Sequence, residues 1–193
     1  MTDTANPGMA NAVRCAVIWG TDCPQWVSPP RYTHDQHGRG VVQRSRAASN
    51  GQSPPQLLAQ LVHDRSAHVR RAVAQNPQCP AEALQHLTLD PSTIVRSALA
   101  SNRQCPAPVA QQLAQDPDPQ VRMWLARNLH CPPEVLAQLA QDPATGIRKL
   151  VVQHHQAPLP TVAHLAGDPD PAIRHLARRR LPEEYQDLAR ITQ

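Results

Sequence analysis

Three residue types in this sequence recur in patterns that could carry chemistry. Cysteine stands at 79, 105 and 131, each directly before a proline, with Cys23-Pro24 in the same register and Cys15 apart from it. A regular series of thiols is a candidate zinc or iron–sulfur site. Geometry argues against convergence: stacked helices lie about 8–10 Å apart, whereas each thiolate on one zinc must approach to about 2.3 Å. Disulfides meet the same obstacle, since bridged Cα atoms stand no more than about 6.8 Å apart. The thiols therefore read as small buried spacers ahead of helix starts.

The second pattern pairs carboxylate with guanidinium. Asp64, Asp90, Asp116, Asp142 and Asp168 each precede, by six residues, Arg70, Arg96, Arg122, Arg148 and Arg174. An arginine series could contact phosphates, but a stripe built for phosphate gains nothing from a carboxylate beside each cation. The structural reading has each Asp accepting N–H bonds where a helix begins, with Arg reaching back to it or to loop carbonyls. Histidine is the third candidate, at ten positions. His34 and His37 lie in a polar loop without a Cys nearby, and His154-His155 replace the Asn found at that point of earlier units. Arg178 to Arg180 form one dense basic run, partly neutralised by Glu183, Glu184 and Asp187. Trp19, Trp26 and Trp124 are too irregularly spaced to form a base-stacking stripe, which leaves core filling or one exposed contact. No Gly-rich phosphate loop, nucleophile elbow or close Ser/His/Asp grouping occurs.

These residues are placed by an internal repeat. Pro54, Pro80, Pro106, Pro132 and Pro158 open successive units, and Leu61, Leu87, Leu113, Leu139 and Leu165 follow at a fixed offset. After each Asp come Val69, Val95, Val121, Ile147 and Ile173, immediately before the column Arg; Asn76, Asn102 and Asn128 end three units. Arg44, Asn50 and Ser53 keep the register upstream. Residues 1–53 therefore read as degenerate repeats with a loop insertion near 24–43, 54–181 as five full units, and 182–193 as a capping helix with Leu181, Tyr185, Leu188 and Ile191 on one face.

Each unit reads as two short helices. In Pro132–Gln141, Pro is expected at the first helical position, where its missing N–H costs nothing, and Val135, Leu136 and Leu139 share one face. Asp142-Pro143 stops that helix. The next element puts Val121, Leu125 and Asn128 about a turn apart, with Asn as its C-cap. Helices this short are unstable alone, so stacked neighbours must bury one continuous core. The expected class is an all-α helical solenoid.

The segment Leu113–Pro143, "LAQDPDPQVRMWLARNLHCPPEVLAQLAQDP", resembles the leucine-rich repeat variant family, and the likeness extends from Pro54 to about Arg178. That resemblance implies a right-handed superhelix alternating α-helices with 3₁₀ or short α-helices. Some members carry an N-terminal [4Fe–4S] module with four Cys ligands; upstream of Pro54 this chain has Cys15 and Cys23. The expectation is no cofactor, with a cluster involving Cys15 and Cys23 as the alternative.

Composition sets the remaining bounds. Charged residues make up 18 % of the 193 and no apolar run approaches membrane-spanning length. Met1 to Gly20 lacks a charged segment leading into an apolar core, so no secretory signal is expected and the location is read as cytoplasmic, for a solenoid of bacterial type. Net charge is +4, and the sole lysine is Lys149. Pairing the column arginines with aspartates leaves fewer cations free, and those that remain are scattered, which makes nucleic acid an unfavoured partner. The reading is a non-enzymatic scaffold that binds another protein, its function carried by variable positions between the columns.

Overall fold

The computed structural model describes residues 39–182. Cys15, Cys23, His34, His37, Trp19 and Trp26 lie outside these residues, as does the expected capping helix beyond Pro182. Eleven α-helices occur among the described residues, and no strand. In chain order they are α1 (Arg39–Ser49), α2 (Pro55–Leu61), α3 (Ala67–Gln75), α4 (Ala81–His86), α5 (Thr93–Ala100) and α6 (Ala107–Leu113). Then follow α7 (Pro119–Arg127), α8 (Pro133–Leu139), α9 (Thr145–Gln153), α10 (Leu159–Leu165) and α11 (Pro171–Arg180). A single 3₁₀ turn, Leu87–Leu89, extends α4. Both helices of each unit are otherwise α-helical, so the short-α alternative describes this chain better than a regular α/3₁₀ alternation.

The longer helices α1, α3, α5, α7, α9 and α11 stack in sequence, each against the next. The shorter helices α2, α4, α6, α8 and α10 form a second layer packed on them. Between the layers runs one ribbon of aliphatic side chains. All five column leucines, Leu61 to Leu165, are buried there, with Val69, Val95, Val121, Ile147 and Ile173 from the other layer. Val135 and Leu136 join Leu139 on the buried face of α8, and Val121 and Leu125 form that of α7. Since no helix among the described residues exceeds 11 residues, burial against neighbouring units, rather than helix propensity, holds the array.

The column prolines sit one position earlier than the sequence suggested. Pro54, Pro80, Pro106, Pro132 and Pro158 are N-caps with extended backbone, ψ between 140° and 147°. Their carbonyls accept the first intrahelical bonds, as from Leu58 N and Ala110 N. A ring that fixes φ near the helical value fits the cap as well as the first turn, and a further Pro (Pro55, Pro108, Pro133, Pro160) stands in the first turn in four units.

Candidate functional site

Two polar rails flank the aliphatic ribbon, one at each end of the stacked longer helices. The first is made of aspartate and arginine. Asp116 Oδ1 accepts the N–H of Asp118 at 2.9 Å, which shapes the turn leading into α7, and Asp118 then caps α7 by accepting from Gln120 N at 2.8 Å. Arg122 Nη1 reaches back to the Asp116 carbonyl oxygen at 2.7 Å. Its remaining donors go forward: Nε and Nη2 grip the carboxylate of Asp142, in the next unit, at 2.6 and 3.2 Å. Arg44–Asp64, Arg70–Asp90, Arg96–Asp116 and Arg148–Asp168 repeat this fork. The within-unit partner is thus a backbone carbonyl, while the carboxylate comes from the unit that follows.

These five pairs are bidentate and shielded, with each Asp side chain no more than 6 % exposed. Hydrogen bonds from Arg148 and the Asp170 N–H hold the Asp168 carboxyl below the usual carboxylate range against the opposing effect of burial. For Asp90 burial is the largest influence and acts upward, yet the Arg70 fork and the Ser92 N–H together prevail and lower it. Charges neutralised this way have little left for phosphate. Arg174 ends the series among the described residues, donating to the carbonyls of Asp168 and Pro169.

The second rail lies at the C-terminal ends of the same helices. Asn128 Nδ2 donates to the carbonyls of Ala100 and Asn102, one unit back, at 2.8 and 2.9 Å, while its Oδ1 accepts from His130 N. Asn76 and Asn102 do the same to their predecessors. The amides satisfy carbonyls that a helix end leaves orphaned. Asn76 and Asn128 are also C-caps, but with extended backbone in place of the left-handed cap conformation.

Two later positions keep this rail with different chemistry. His154 Nε2 donates to the Asn128 carbonyl at 3.0 Å and Nδ1 accepts from Gln156 N at 3.2 Å, partners that select one neutral tautomer. Burial, with His155 and Arg180 nearby, pushes its pKa below the ordinary value of 6.5 against the raising effect of the bond to Asn128. Arg180 occupies the next position and donates to the carbonyls of Val152, His154, His155 and Ala157. Arg180 is therefore a rail residue, unlike the exposed Arg178 and Arg179 beside it. Counting one period from Asn128, and a second, reaches His154 and Arg180; that was the signal for both.

The three thiols among the described residues are free. Cys79 and Cys131 are buried and Cys105 nearly so. The Sγ atoms of Cys105 and Cys131 face the carbonyl of the following proline at 3.9 and 3.8 Å. Burial raises the three to about 11, 12 and 12 for Cys79, Cys105 and Cys131, so they are protonated thiols near neutrality. Ala157 fills the same buried column one unit later, and Ser53 one unit earlier. The column therefore takes small side chains of different chemistry from unit to unit. Among the described residues, no three His, Cys, Asp or Glu side chains gather as a metal-holding group.

What remains accessible lies between the columns. Trp124 is 41 % exposed on α7, with the Arg127 guanidinium 5.7 Å from its ring centroid. Ile94, Val42 and Leu129 are exposed as well. The rails together define the class: an all-α solenoid whose recurrent polar residues join one unit to the next.

Comparison with known proteins carries this one step further. Residues 67–92 and 119–144 match the leucine rich repeat variant family. A solved structure described as a leucine-rich repeat variant with a novel repetitive protein structural motif is 25 % identical, with a TM-score of 0.53, over 81 % of this chain and 73 % of its own. No curated protein matches the sequence. The chain is an all-α helical repeat protein, and two of its units, residues 67–92 and 119–144, are similar to leucine-rich-repeat-variant repeats.

Proposed function

We propose that this protein is a non-enzymatic scaffold whose solenoid surface binds another protein. One observation carries the reading. The recurrent Asp, Arg and Asn side chains are consumed in joining units, whereas large apolar side chains (Ile94, Trp124) stand in solvent between them. Clusters of exposed apolar residues rimmed by polar ones mark interaction surfaces. No helix among the described residues is long and apolar enough to cross a membrane. The free thiols suit a reducing compartment such as the cytoplasm.

Selection of a displayed random-peptide library on the immobilised folded chain tests this. The reading expects enrichment of a defined peptide class, lost when the chain is denatured. Failure to enrich any sequence, with helical content intact, would overturn it. A brown anaerobic preparation with about four iron per chain would instead place the protein among cluster-binding members.

A further inference from the structure

The stacked longer helices present a face whose charge has one sign. None of α1, α3, α5, α7, α9 or α11 contains an Asp or Glu. Their column arginines from Arg44 to Arg148 are neutralised by the Asp rail. Arg71, Arg127, Lys149 and Arg179 are not on that rail and are exposed on the same helices. Asp118 and Asp170, the nearest acids in sequence, are occupied in capping α7 and α11. Glu82 and Glu134 belong to the other layer, in the first turns of α4 and α8.

Apolar surface is interleaved with these cations. The rail bonds fix neighbouring helices in register at a separation of 26 residues, so Trp124 and Leu150 occupy matching places on α7 and α9. Ile94 on α5 lies one turn before the equivalent place on its own helix and is 45 % exposed. A cation one turn from an apolar side chain suits a partner segment with apolar anchors between carboxylates. Phosphate-backbone ligands would call for successive aromatic platforms, and Trp124 is the one such ring in the described residues.

We propose that this face binds an acidic, amphipathic protein segment, with Trp124 as the apolar anchor and Arg71, Arg127 and Lys149 as its counter-charges. This rests on the scaffold reading and names the chemistry of the partner. The test is fluorescence polarisation of the full chain with a labelled model peptide bearing Asp and Glu on one helical face and Leu on the other. Its Lys-substituted counterpart and single- and double-stranded DNA serve as rival ligands. The acidic peptide should bind, more weakly as salt rises. Affinity should fall roughly tenfold or more in Trp124→Ala and in the Arg127→Glu, Lys149→Glu double variant, whereas Glu82→Lys, on the other layer, should change it little. Circular dichroism checks that each variant is folded. Equal binding of the Lys peptide, or binding indifferent to the Trp124 and Lys149 changes, overturns the proposal. DNA binding lost in those same variants would mark the face as a nucleic-acid surface, also overturning it. Library peptides that bind the chain but ignore these substitutions would leave the scaffold reading standing and remove this face from it.

Discussion

At the scale of single residues, the arginine fork is the most consequential arrangement. A buried bidentate pair is strongly destabilised by removing one partner, because the other charge is left stranded. Arg122→Ala and Asp142→Ala should each cost about 2–4 kcal/mol, and the double variant less than their sum by about 1–3 kcal/mol. Urea unfolding of the four proteins reads this directly. Coupling should be weaker between Arg122 and Asp116, whose carboxylate is held by Arg96 instead. A larger coupling to Asp116 would contradict the observed pairing. The sequence showed the recurrence of Asp and Arg but not the partnership, and the reason is physical. From Arg70 to Arg148 every column Arg has one Asp six residues behind and another twenty ahead; spacing alone does not choose, and only stacking does. Thr88 offers a second test at this scale. Its hydroxyl is buried without a hydrogen-bond partner, at a position where Ala114, Ala140 and Ala166 stand in later units. Thr88→Ala removes that orphan group, so unfolding free energy should be unchanged or higher by up to about 1 kcal/mol. A loss above about 2 kcal/mol would mean that the methyl group, not the hydroxyl, dominates there.

At the scale of elements, the second rail decides how the end of one helix meets the next unit. Its amide, imidazole and guanidinium members all reach carbonyls of the preceding unit, but only the imidazole titrates near neutrality. The folded pKa of His154 lies below its unfolded value of 6.5. The unfolded chain therefore takes up the proton first as pH falls. The contribution of neutral His154 is complete above about 6.5 and is lost as the pH drops through its lower folded value. Protonation places a hydrogen on Nδ1, where Gln156 N–H already points. Relative to His154→Asn, the wild-type chain should thus lose stability as the pH falls below about 6.5; parallel pH profiles for the two proteins would refute this. Much at this level was legible beforehand. Paired helices, their buried faces and the Leu column followed from apolar spacing, since burial imposes periodicity. The rail was not, because a side chain crossing to another unit leaves no local mark: Asn beside a helix end looks the same whether it caps its own helix or its neighbour.

At the scale of the whole molecule, a one-dimensional array should distribute its stability by adjacency. Leu113 and Leu165 are both buried but stand two units apart. Each change to Ala should cost about 2–5 kcal/mol, and the two should add to within about 0.5 kcal/mol. Leu113 and Leu139, in adjoining units, should depart from additivity by more. Strong coupling between Leu113 and Leu165 would instead mean one undivided core. The rails carry a different consequence, for length. Both lock in phase at the same interval, so removing Pro106–Cys131 as a block splices matching ends together: Arg96 then meets Asp142, and His154 meets the Asn102 carbonyl. Loss or gain of only a few residues inside a unit would throw both rails out of phase at once. The array is therefore spliced at little cost in whole units and poorly in fractions of them, and its length is free to change only in steps.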